Sequence, residues 1–182
     1  MRVIAGRFGG RRLQAPKGRA VTRPTSDRVR EAIFSMLGGV QVEHVLDLFA
    51  GTGALGIEAL SRGAKRAVFV ERDGAALTAL RANLESLGLQ ESEAEVRRAE
   101  ALGALRSARK HSETYDLVLI DPPYRRASDL GSELALALEP LLERRQARVV
   151  VESDRRAPLQ LPWEIEKERR YGDTTITIHR HR

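Results

Sequence analysis

The 182-residue chain is of a size for one domain, and its 42% hydrophobic and 31% charged residues include no apolar run near the roughly 18 residues needed to cross a bilayer, so a membrane span is excluded. With no cysteine, disulfides and thiolate metal sites are excluded too. His44, His111, His179 and His181 are dispersed without paired-ligand spacing, so no metal is expected, and a start without the apolar core of a secretory signal makes the cytoplasm the expected compartment. The net charge of +6 is uneven: residues 1 to 30 hold nine Arg or Lys and one acid, leaving −2 for the rest. A basic segment of this kind suits a polyanion such as RNA.

Along the chain, RVIAG and RRLQAP flank Arg7-Phe8-Gly9-Gly10, which predicts an N-terminal β-hairpin, and residues 1 to 24 read as a basic extension. From Ser26, DRVREAIFSML places Val29, Ile33, Phe34 and Leu37 on one helical face before Gly38-Gly39. Strand and helix then alternate: HVLDLF and ALGIEALSRG; RAVFVE and DGAALTALRANLESLG; AEVRRA and EALGALRSARK; YDLVLID and SDLGSELALALEPLLERR; then ARVVVES. Five apolar strands separated by helices imply an α/β fold, a mostly parallel sheet covered on both faces. The tail alternates around Tyr171-Gly172-Asp173, predicting a closing antiparallel hairpin and a seven-stranded, Rossmann-like sheet in a catalytic domain over residues 25 to 182.

Ligands of open α/β sheets bind outside the carboxyl ends of the strands, and three of those ends are acidic: Asp47, Glu71 and Asp121. Asp47 precedes FAGTGALG, whose Gly51 and Gly53 permit positive φ and close approach of a ligand. A GxGxxG pattern also serves dinucleotide folds, and an acid twenty positions on, here Glu71, can hold ribose hydroxyls in either case. Acids around the loop suit the ammonium and sulfonium of S-adenosyl-L-methionine better than a pyrophosphate. Arg72 beside Glu71, and Glu100 with Ala101 at the next helix start, complete the candidate cofactor crevice, Glu100 within reach of an adenine amino group. Helix starts favour acids in any case.

Asp121-Pro122-Pro123-Tyr124 is the most specific signal. Two prolines fix an extended backbone, lose two N–H donors and keep their carbonyls. An exocyclic base amine is a poor nucleophile because its lone pair is delocalised, and the Asp121 carboxylate with the Pro122 carbonyl supplies two acceptors for its hydrogens, which localises that pair. Tyr124 offers a stacking ring for a flipped base, and Arg125 and Arg126 follow where flanking phosphates would lie. No Gly-Lys-Ser/Thr phosphate loop occurs.

RVIAGRFGGRRL, TRPTSDRVREAIFSML, LDLFAGTGALGIEALSRGA, VFVERD and DPPY, in this order and over nearly the whole length, resemble the bacterial 16S ribosomal RNA guanine-N2 methyltransferases. The resemblance implies an S-adenosyl-L-methionine-dependent enzyme acting on 16S rRNA or the assembling small ribosomal subunit, as a monomer. It assigns Asp47, Gly51 and Gly53 to the methionine side, Glu71 to the ribose and Asp121 to Tyr124 to the base. It also places Thr25 and Arg28 near the cofactor or target and the N-terminal hairpin on RNA, with Arg7, Arg11, Arg12 and Arg23 as candidate contacts. The family usually carries Asn or Asp where this chain has Glu100, and often Phe where it has Tyr124. The rival readings are a DNA adenine-N6 methyltransferase, disfavoured by the lack of an inserted target-recognition domain, an RNA-binding assembly factor with vestigial catalysis, and, more remotely, a dehydrogenase.

Overall fold

The computed structural model describes residues 1–16, 25–40, 42, 44–123, 127–142 and 147–181. Among them seven strands form one sheet in the order β3-β2-β1-β4-β5-β7-β6. β1 (His44–Leu48), β2 (Arg66–Glu71), β3 (Ala94–Arg98), β4 (Leu117–Ile120) and β5 (Arg148–Asp154) are parallel, and β6 (Ile165–Tyr171) and β7 (Thr174–Arg180) add the antiparallel edge. The predicted α/β architecture with its closing hairpin is therefore the observed one. Strand order reverses direction between β1 and β4, and the crevice opens at that switch point.

The parallel strands inside the edge, β1, β2, β4 and β5, are buried on both faces, and the period of two sorts their side chains between two cores. Val45, Ala67, Phe69, Leu117, Leu119 and Val150 join the helices α1 (Asp27–Leu37), α2 (Ala54–Ser61) and α3 (Gly74–Ser86) in one. Leu46, Leu48, Val68, Val70, Val118, Ile120, Val149 and Val151 meet α4 (Ala101–Lys110) and α5 (Ala127–Leu138) in the other. Pro140, in a single 3-10 turn, ends α5.

α1 begins where Ser26 caps it, its hydroxyl accepting the Val29 N–H, and stops at Gly38 in the left-handed region. Its buried stripe contains the four predicted apolar residues and also Arg30, fully buried. Sequence periodicity missed this arginine because it shares the face of Val29 and Ile33.

The predicted N-terminal hairpin is present and short. Arg2 bridges Arg12, and the N–H groups of Val3, Gly10 and Leu13 donate to the carbonyls of Arg11, Val3 and Met1, with positive φ at Gly6 and Gly10. It also docks on α2. Ile4 and Ala5 donate their N–H groups to the Glu58 carboxylate, and Phe8 donates to the Ser61 hydroxyl, so these amides are satisfied by a helix rather than across the hairpin. A Cβ on Gly6 would lie 1.9 Å from the Ser61 carbonyl oxygen, which restricts that position to glycine. Val3 and Leu13 are buried in the α1–α3 core, so the hairpin packs as part of the main body.

Candidate functional site

The strand alternation that builds the cores also places the acids. Asp47 follows Val45 by two, Glu71 follows Phe69, Asp121 follows Leu119 and Glu152 follows Val150, so all four carboxyl side chains project to the α1–α3 face at the carboxyl ends of β1, β2, β4 and β5. Ile120 registers with Val151, which sets Asp121 and Glu152 at neighbouring positions on adjacent strands. Three of the four were named from sequence. Glu152 was missed, although an acid that keeps the parity of a buried apolar strand is itself a signal.

The loop after β1 is held open by its own backbone. Phe49 has φ +89°, a conformation that costs a non-glycine residue about 1–3 kcal/mol, and Gly51 and Gly53 follow at +56° and +81°. Gly53 and Gly56 answer to packing: a Cβ would meet Leu80 at 2.3 Å or the Phe69 ring at 2.4 Å. Gly51 differs, since a Cβ there would meet nothing within 4 Å.

Two acids brace this loop. Asp47, 2% exposed, accepts the Gly56 N–H at 2.8 Å near the start of α2. Glu71 accepts from Gly51 N–H at 2.9 Å through one oxygen, and from the N–H groups of Arg72 and Asp73 through the other. Oε1 thus accepts two N–H groups and Oε2 only one, so Glu71 keeps capacity for a hydroxyl at Oε2.

At the end of β4 the Thr25 hydroxyl lies 2.8 Å from Asp121 Oδ2 and 2.8 Å from Glu152 Oε2. Thr25 is the residue just before the cap of α1, so the start of that helix is tied to the ends of β4 and β5. Pro122 is buried and Pro123 exposed beyond it.

Among the described residues no ion pair joins Asp47, Asp121 or Glu152 to a Lys or Arg. Burial pushes Asp47 up to about 7, with the negative charges of Asp121 and Glu71 adding to it against the Gly56 hydrogen bond. Burial likewise raises Asp121 to about 6, and raises Glu152 to about 8 with the Asp121 charge contributing. Acids whose ionised forms find no described cation favour a cationic ligand, which suits the ammonium and sulfonium of S-adenosyl-L-methionine. Among the described residues no group of three or more His, Cys, Asp or Glu side chains is arranged to hold a metal.

The remaining candidates divide. Glu100 caps α4 without a side-chain bond and sits 3.8 Å from Arg72, both exposed, while Ala101 is buried in the first turn. Arg28 is exposed on α1. Arg7 is engaged with Glu93 at 2.7 Å and lies over the Phe8 ring, and Arg11 donates to the Ser86 carbonyl. Arg12 is exposed. Arg23, Tyr124, Arg125 and Arg126 lie outside the described residues. Sequence reasoning also missed Asn83, fully buried on α3, whose amide accepts the Gln14 N–H and donates to the carbonyls of Gln14 and Thr52. It ties the chain leaving the hairpin to the glycine loop.

With that geometry, comparison with known proteins is informative. YlbH of Bacillus subtilis is 39% identical over the whole of both chains. The ribosomal RNA small subunit methyltransferase D of Haemophilus influenzae is 32% identical over all of this chain and 94% of its own length. The solved structure of Escherichia coli yhhF is 35% identical with a TM-score of 0.83, covering all of this chain and 97% of that one. The family described as conserved hypothetical protein 95 matches residues 1–180, and the chain belongs to that family, the one that holds the ribosomal RNA small subunit methyltransferase D proteins.

Proposed function

We propose that this protein transfers a methyl group from S-adenosyl-L-methionine to the exocyclic N2 amine of a guanine in 16S ribosomal RNA. The observation that carries the reading is the end of β4, where Asp121 and two prolines present acceptors beside buried acids that have no cation of their own. When bound, the donor supplies an electrophilic methyl group on a positively charged sulfur. Asp47 and the Gly51–Gly53 backbone hold the methionine end, Glu71 accepts from the ribose hydroxyls, and Glu100 and Ala101 border the adenine.

Asp121 and the Pro122 carbonyl each accept one amine hydrogen, which turns the nitrogen lone pair out of conjugation and toward the methyl group. Fixed acceptors in a water-poor crevice need no reorganisation as charge develops, so positioning and electrostatics supply the rate. Tyr124 stacks on the flipped base, and Arg12, Arg23, Arg125 and Arg126 meet phosphates.

The test is transfer of labelled methyl to small ribosomal subunits, naked rRNA and duplex DNA, with nucleoside analysis of the product. N2-methylguanosine in rRNA is the expected product. N6-methyladenine formed in DNA, with rRNA unmodified, overturns the assignment.

A further inference from the structure

Thr25 has one hydroxyl hydrogen and two carboxyl neighbours, each at 2.8 Å. An ionised carboxylate accepts and does not donate. If Asp121 and Glu152 were both ionised, one of the two short contacts would set oxygen lone pairs against each other in a buried place. A single proton resolves this: one carboxyl donates to Thr25 Oγ1, and Thr25 donates to the other. Glu152 is the holder, since it is 4% exposed on an interior strand with Ile176 of β7 as its register partner, whereas Asp121 is only partly buried at the crevice.

We propose that Glu152 is a positioning residue that keeps one proton in a Glu152–Thr25–Asp121 chain, so that Thr25 donates to Asp121 Oδ2 and Asp121 Oδ1 is left to receive the target amine. The proposal rests on the methyl-transfer reading above. The balance of the step fits it. As the amine lone pair forms the new carbon–nitrogen bond, the carbon–sulfur bond breaks with its electron pair left on sulfur, and the nitrogen sheds one hydrogen as a proton to Asp121. The pair begins with one proton and one negative charge opposite one positive sulfur and ends with two protons opposite a neutral sulfur, so the transfer step leaves no new unmatched charge on the pair.

The groups facing the pair are few. β1 presents Asp47, whose charge acts on Asp121; the segment before α1 presents Thr25; β7 presents Ile176 between Thr175 and Thr177. No described cation pairs with either carboxyl, so the proton is the only counter-charge in the free protein among the described residues.

Four variants test the chain: Glu152→Gln, Glu152→Ala, Thr25→Val and Thr25→Ser. Single-turnover methyl transfer to small subunits is followed against pH, together with 13C NMR of the side-chain carboxyls in the ligand-free protein. Wild type should slow as pH rises past about 8, where Glu152 loses its proton. Glu152→Gln, a neutral donor of the same shape, should keep the maximal rate within about 3-fold and lose that alkaline fall, while Glu152→Ala and Thr25→Val drop at least about 10-fold with donor affinity unchanged, and Thr25→Ser recovers most of the rate. NMR should show two coupled carboxyl steps in wild type, with Glu152 the later, and a single Asp121 step in Glu152→Gln.

Glu152→Gln as slow as Glu152→Ala, with an unaltered pH profile, overturns the proposal, as does an NMR titration in which both carboxyls are ionised at neutral pH. Wild type that gives the two-step titration and methylates no rRNA overturns the functional reading instead.

Discussion

Two buried glutamates, Glu58 in the hairpin dock and Glu152 at the crevice, have the same chemistry and opposite surroundings. Glu58, with no exposure, accepts the N–H groups of Ile4 and Ala5 and the Arg62 guanidinium, with Arg30 Nη1 at 3.6 Å. Glu152 has one hydroxyl, shared with another acid. The first is saturated by the chain itself and fastens the N-terminus to α2. The second, with Asp47 and Asp121, is left short of positive charge. Burial of an acid therefore does not by itself point to a site; burial with no described cation beside it does, since transfer of an unpaired charge into a protein interior is costly.

The largest effect that would break this contrast is expected at Asp121. Asp121→Ala should lower single-turnover methyl transfer by at least about 10²-fold while donor and RNA affinities change little; unchanged turnover would remove Asp121 from the acceptor role. Next comes the dock. Glu58→Ala strands Arg30 and two backbone amides, and chemical denaturation should show a loss of about 3–5 kcal/mol, with near-normal transfer from the molecules that remain folded. A larger loss in donor affinity than in stability would place Glu58 in the site.

Asp47→Asn keeps an acceptor for Gly56 and removes the charge. Calorimetry should find donor affinity down by roughly 10-fold or more, and thermal melting should find the free variant more stable than wild type at pH 8, by a few kcal/mol at most. The same logic fixes the pH dependence of wild type. Asp47 holds its proton more tightly folded than unfolded, so its contribution is complete below about 3.8 and is lost as pH rises through about 7; Asp121 and Glu152 act in the same direction up to about 8. The free protein should therefore melt roughly 5 °C lower at pH 8.5 than at pH 6, and saturating S-adenosyl-L-methionine should flatten that slope. Glu93 and Glu95, held below the usual range chiefly by hydrogen bonds from Arg7 and Arg97, set the opposite trend in acid. The smallest effect is at the hairpin: Arg12→Ala should reduce the salt dependence of RNA binding by about one phosphate, whereas Arg7→Ala should change it less because Arg7 is already engaged with Glu93.

The strands, helices and their order were legible because the parallel core strands are runs of β-branched and aliphatic residues, with helical stripes and glycine stops between them. Asp47, Glu71 and Asp121 were legible as strand ends. What escaped were polar residues placed by tertiary contacts: Arg30 on an apolar stripe, Asn83 between two loops, and Glu152 directly after the three valines of β5. The hairpin was legible from the glycines between its two segments, whereas its docking on Glu58 and Ser61, which take three of its amides, was not. Local pattern says that a backbone needs partners, and only the assembled fold says which.

The sheet's two rims carry one more consequence. β3 at one edge reads AEVRR and β6 at the other IEKERRY, both dense in charge, whereas the central strands β1, β2, β4 and β5 are built mostly of buried apolar residues. An unpaired strand edge is a template for another chain, and rows of like and unlike charge that must be desolvated make that pairing unfavourable. Resistance to aggregation is thus located at the rims, and neutralising Lys167, Arg169 and Arg170 together would open a seam along which molecules could associate, leaving the crevice on the far side of β5 untouched.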